Sequence, residues 1–225
     1  MSKYINNLKI REVLTDLFQF VKHPDDHQLN LPFKGKLQYF LITFIFNVIF
    51  LTLAVVPFLL LIDYLMPLRD NSLKEYSTIL HFLSFYVVFI PLFEETVFRF
   101  FLRYRKFYRF FISRQKWDKI FPFLVYFSVL ILSVIHTVVH YNNSIWFYII
   151  TPIIVFPQFV MGLATTFIRV RFKFLWGIAY HTCWNLLISI IPVIAIMMGK
   201  DYVKLKDTDS FCFYYCSHYL MSLIT

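Results

Sequence analysis

Five stretches of apolar residues, each about as long as a bilayer is thick, decide most of what this chain can become. A helix needs roughly 20 predominantly apolar residues to cross the hydrocarbon core. Runs of that length lie at Tyr39–Ile62, Ile79–Leu102, Ile120–His140, Ile145–Ile168 and Phe174–Met198. A sixth stretch, Phe211–Ile224, is shorter and reads as an interfacial or short tilted helix. Hydrophobic residues make up 59% of the chain and charged ones only 16%, against about 25% charged in soluble domains. There is too little polar surface to face water on all sides. The expected fold is all-α: a polytopic transmembrane helix bundle of about five to six spans. Residues 1–35 form a cytosolic or interfacial segment, and residues 36–225 form one membrane domain.

Charge fixes the orientation expected of that bundle. The net charge is +9, a balance that in a soluble protein would suggest nucleic acid. Here the Lys and Arg residues lie between the apolar runs and no nucleic-acid-binding motif interrupts them, so they read as anchors to an anionic membrane surface. With the N-terminus inside, 17 of the 22 Lys and Arg residues fall on inside segments and 5 on outside ones. That bias predicts a cytoplasmic N-terminus. The first apolar run starts near Leu37, too late for a secretory signal peptide. Within the first segment, Ile10, Val13, Leu14, Leu17 and Phe18 follow helical periodicity and predict an amphipathic helix on the membrane surface. His23 and His27 flank Asp25 and Asp26, but Pro24 breaks the helix a paired-histidine metal site would need. Cys183, Cys212 and Cys216 have no CxxC spacing, which gives neither a disulfide framework nor a cysteine zinc site.

Ionisable groups inside a span cost at least a few kcal/mol each near its centre, so they call for a function. Three clusters meet that description. Glu94 and Glu95 are adjacent late in the second run, and Arg99 follows Glu95 by four. Adjacent helical residues point about 100° apart, so Glu95 can pair with Arg99 while Glu94 faces the bundle as a base for a water molecule. The bland alternative is a helix end whose charges snorkel to the headgroups. His136 and His140 share a face at the end of the third run. His181 and Asn185 share a face in the fifth. A carboxylate, two histidines and an amide form a hydrolytic inventory of base, oxyanion donors and possible metal ligands.

These residues, in this order and on separate apolar runs, resemble the CPBP family: the CAAX prenyl endopeptidases and the bacteriocin-processing or immunity proteins, also called Abi. Its EExxxR motif reads here as Glu94-Glu95-Thr96-Val97-Phe98-Arg99, and its HxxxN motif as His181-Thr182-Cys183-Trp184-Asn185. Pro157–Gly162 and Phe174-Leu175-Trp176 are similar to the run before the last motif. The resemblance covers about residues 80–190. The middle motif, FxxxH, departs: with His140 as its histidine the Phe position holds His136, and with His136 it holds Leu132. His140 is preferred, because Ser133 and Tyr141-Asn142-Asn143 sit as similar residues do in relatives.

The resemblance implies an intramembrane endopeptidase. Glu94 would activate water, and His140 would assist or bind that water or a metal. His181 and Asn185 would stabilise the oxyanion, while Glu95 and Arg99 would hold the architecture. Glu94, His140 and His181 are the candidate ligands should a divalent metal such as zinc take part. The set lacks the tight HExxH spacing of zinc peptidases, which favours glutamate-dependent chemistry. The expected partners are a peptide or membrane-protein substrate and membrane lipid, with no nucleic acid. The composition suggests a bacterial cell membrane. The alternative is a catalytically silent immunity or peptide-binding scaffold protein. A transporter is a weaker third reading, since no internal repeat is visible.

Overall fold

The computed structural model describes residues 10–65, 83–140 and 145–197. Among them the structure is helical with no strand: α1 (Ile10–Lys22), α2 (Phe33–Ala54), α3 (Val56–Leu65), α4 (Ile90–Glu94), α5 (Arg114–His140), α6 (Ile145–Arg171) and α7 (Phe174–Met197). Two π-wound stretches, Leu83–Phe89 and Glu95–Arg99, flank α4, and a 3₁₀ turn spans Lys106–Phe110. Among the described residues, three helical segments are long and apolar enough to cross a membrane: Phe33–Leu59, Arg114–His136 and Tyr148–Arg171. They match the first, third and fourth expected runs. The fifth run forms the 24-residue α7. The second is helical from Leu83, and the sixth lies outside the described residues, as do Cys212 and Cys216.

Prolines and hydroxyls fit these helices to an apolar setting. Pro122 lies inside α5, and Pro152 and Pro157 lie inside α6, which membrane helices tolerate where neighbouring groups re-satisfy the backbone. Thr165 and Thr166 donate their hydroxyls to the carbonyls of Met161 and Gly162 one turn back, so two buried hydroxyls stay bonded without leaving α6. Pro91 has no N–H to give, and it sits where the winding changes from π to α.

The chain divides into two compact units. The first comprises residues 1–49, 92–132 and 159–181. Its core is built from side chains at helical spacing: Val13, Leu17 and Phe20 of α1; Tyr39 and Phe40 of α2; Trp117, Phe121, Val125 and Val129 of α5; Phe167 and Ile168 of α6; and Tyr180 of α7. On the opposite faces, Leu41, Ile45 and Ile49 of α2 and Phe123, Phe127 and Leu130 of α5 are exposed. Apolar stripes turned outward have lipid as their natural solvent.

The amphipathic α1 forms where its periodicity places it, but protein covers its apolar face. Val13 and Phe20 are fully buried in the first unit's core, while Ile10 and Phe18 remain exposed. Beyond α1 the chain is stitched down by polar contacts. Arg171 reaches Asp16 at 2.8 Å and Asp25 at 2.8 Å and donates to the His27 carbonyl at 3.0 Å. Gln28 donates to the Phe172 carbonyl at 2.8 Å and pairs with Arg103. Asp26 accepts from the Tyr104 N–H at 2.7 Å and from the Trp117 indole at 3.2 Å. The His23–His27 turn thus anchors the chain to the first unit.

This anchor carries a pH signature. Burial works against the Asp25 carboxylate, but the Arg171 guanidinium and the His27 N–H outweigh it and hold its carboxyl below the ordinary carboxylate value. A carboxyl depressed in the folded state adds stability above its unfolded value, and loses it as pH falls through the lower folded value. Asp25→Asn is therefore expected to melt below wild type at neutral pH. The gap should close as pH drops below the ordinary carboxylate range. Thermal unfolding of both proteins across pH checks this, and a gap that does not change with pH contradicts it.

The second unit comprises residues 50–91, 133–158 and 182–225. Leu51, Val55 and Leu59 are buried at intervals of four. The bonds from Val55 N–H to the Leu51 carbonyl and from Leu59 N–H to the Val55 carbonyl continue the helical ladder across the joint between α2 and α3.

Candidate active site

Glu94 is the last residue of α4, and the π-wound turn begins at Glu95. Single π turns concentrate at functional sites because they re-aim side chains along a helix. Here one carboxylate falls on each side of the change in winding. Glu95 and Arg99 are both essentially fully buried and form an ion pair four residues apart. Such a pair is tolerable inside a protein only when each charge has its partner. Glu94 is nearly buried, with its Oε2 3.5 Å from Nε2 of His181. The other ring nitrogen of His181, Nδ1, lies 3.4 Å from Oε1 of Glu95 without forming a hydrogen bond. The His181 ring therefore stands between the two carboxylates.

Two groups that sequence reasoning overlooked complete this part of the first unit. Arg169 of α6 is 4% exposed, and its Nε lies 4.0 Å from Oε2 of Glu95. In the sequence it counted only as one more positive charge at the inner end of a span. The signal that could have found it is that it precedes the last motif on an apolar run. Gly177 of α7 is the second. A Cβ there would lie 2.8 Å from Cβ of Arg169 and 3.2 Å from Oε2 of Glu95. Only glycine lets α7 approach so closely, and His181 is one turn further along the same face. Gly177→Ala is expected to cost about 1–3 kcal/mol, the usual range for overpacking a filled interior. Thermal unfolding in detergent checks it. A variant as stable as wild type would mean the contact relaxes freely.

The remaining candidates belong to the second unit. Asn185 is buried, and its Nδ2 donates to the Tyr86 carbonyl at 2.9 Å. Tyr86 lies in the π-wound stretch Leu83–Phe89. That bond uses one of the amide's two N–H groups. The Asn185 backbone carbonyl accepts from the Ser189 hydroxyl at 2.6 Å. His136 is half-buried on α5. His140 ends α5, and its side chain lies outside the described residues. The structure thus brings together Glu94, Glu95, Arg99 and His181, adds Arg169, and leaves the choice between His136 and His140 where the sequence left it.

A carboxylate within 3.5 Å of an imidazole nitrogen can exchange a proton with it directly or through one water. A catalytic zinc needs three protein ligands and an open position. Glu94 and His181 supply two donors, and Glu95 is committed to Arg99. The third candidate ligand, the His140 side chain, lies outside the described residues.

Comparison with family models matches residues 76–187 to the type II CAAX prenyl endopeptidase Rce1-like family. The match contains both the Glu94–Arg99 and the His181–Asn185 motifs. Comparison with curated proteins and with solved structures gives no match. Through residues 76–187, and with apolar helices long enough to cross a membrane, the chain belongs to the Rce1-like family of CAAX-type membrane proteases.

Proposed function

We propose that the chain is an intramembrane endopeptidase whose base is Glu94. One observation carries this: of two adjacent carboxylates, Glu95 is tied to Arg99, whereas Glu94 meets the imidazole of His181 at 3.5 Å. In the proposed reaction Glu94 takes a proton from water as its oxygen attacks the scissile carbonyl carbon. The carbonyl oxygen becomes an oxyanion, stabilised by N–H donation from His181 and Asn185. Collapse breaks the C–N bond, and Glu94 returns the proton to the departing amine. His140 assists the water in this scheme, with His136 as the other candidate.

The protein is proposed to be a multi-pass protein of a bacterial cell membrane with its N-terminus in the cytoplasm, where its charge bias places it. Its substrate is proposed to be a peptide or membrane protein cut close to the bilayer. A prenylated CAAX-type C-terminus is the first class to test, and a bacteriocin leader the second. Membrane peptides from cells expressing wild-type and Glu94→Gln protein at equal level should differ by fragments present only with wild type. Identical fragment sets would refute the protease reading and favour a silent peptide-binding or immunity protein.

A further inference from the structure

We infer that Arg169 is a positioning residue of this site, the second cation that keeps Glu95 ionised and fixed beside Glu94, the proposed base. This deepens the reading of Glu94 as the water-activating group and rests on it.

Glu95 is a fully buried carboxylate, and an ionised group there needs opposite charge around it. Around Glu95 stand Arg99 on its own helix, Arg169 from α6 and His181 from α7. Arg169 adds a second buried cation beside Glu95, from a different helix than Arg99.

Geometry agrees with that division of labour. Arg99 pairs with Oε1 of Glu95, whereas Arg169 faces Oε2. The two cations thus face the two oxygens of one carboxylate from two helices. Nε and Nη1 of Arg169 are buried and make no hydrogen bond. At 4.0 Å its effect on Glu95 is that of a nearby charge rather than of a bidentate fork. The Arg169 guanidinium also lies over the Phe174 ring, 5.5 Å from its centroid, which holds the side chain at the start of α7. Gly177 leaves the room in which Arg169, Glu95 and α7 meet.

The test needs no substrate. Infrared spectra of purified protein at neutral pH should contain no carboxylic-acid C=O band that Glu95→Gln removes. Arg169→Gln should gain such a band, and Arg169→Gln combined with Glu95→Gln should lose it. No new band in folded Arg169→Gln overturns the inference, whatever the protein cleaves. If Arg169→Gln does not fold, Gly177→Ala carries the measurement, because it crowds Arg169 away from Glu95. A new band there supports the inference, and its absence overturns it.

Turnover of an internally quenched, farnesylated CAAX peptide gives the second arm. Arg169→Gln should lower kcat roughly 10–100-fold, the usual cost of removing a group that orients a catalytic ligand, with KM unchanged. Arg169→Lys, which restores the charge, should recover most of the loss. Equal loss in both variants with a lowered melting temperature would mark a merely structural arginine. If Glu94→Gln cleaves the probe as fast as wild type, the base assignment fails while the infrared result still stands for Arg169.

Discussion

Glu94→Gln is expected to slow peptide cleavage by about 100- to 10,000-fold, the range for removing a positioned general base, while the protein folds and inserts at its normal level. The substitution keeps the shape of the side chain and its ability to hydrogen-bond His181, and removes only the capacity to take a proton from water. KM should change little, because the loss falls on the transition state rather than on binding. The comparison with Glu95→Gln gives the test its resolution. Glu95 is fully buried between Arg99 and Arg169, so its neutralisation should appear first as lost stability. If the two single variants behave alike in both turnover and melting, the division of the pair into a base and an anchor is wrong.

The second large effect is structural. Arg99→Met should destabilise the protein by about 3–5 kcal/mol, the cost of breaking a buried ion pair by removing one partner. Arg99 is 1% exposed and Glu95 0%, so solvent does little to screen the carboxylate left behind. α6 closes over Arg99 as well: a Cβ on Gly162 would lie 3.2 Å from Nη2 of Arg99. Removing both charges together, Arg99→Met with Glu95→Gln, should cost less than the sum of the single changes, since groups in contact are not additive. Unfolding in mild detergent measures all three. A loss below about 1 kcal/mol for Arg99→Met would put the pair in the class of weak surface bridges and contradict its role as the anchor of the helix.

What the sequence made legible follows the physics of short-range spacing. The Glu95–Arg99 pair was readable because residues four apart share a helix face, and the helix between them exists even though its winding is π rather than α. The joining of His181 to the glutamates was readable only through the family motifs, since nothing local links positions 94 and 181. α1 was readable as amphipathic, but an apolar stripe does not say what covers it. The structure buries Val13, Leu17 and Phe20 in the core of the first unit, with Phe20 against the Phe167 ring.

Arg169 and Gly177 escaped for the same reason. An arginine near a span end has an ordinary explanation as a topology signal, and a lone glycine in an apolar run has none at all until a neighbour's distance is known. Asp25 and Asp26 were weighed as metal neighbours. Their use as acceptors for Arg171, Tyr104 and Trp117 depends on contacts across more than 75 residues of chain, which no local pattern encodes.

The central claim is that a water molecule activated by Glu94 cuts the peptide bond. Single-turnover cleavage of the farnesylated CAAX peptide in ¹⁸O-labelled water tests it most directly, with mass spectrometry of the released carboxyl terminus and of the enzyme peptide containing Glu94. The account predicts one ¹⁸O in the new product carboxyl and none in Glu94. Unlabelled product with ¹⁸O in the Glu94 carboxyl would show that the glutamate attacks the substrate itself, and would contradict the account.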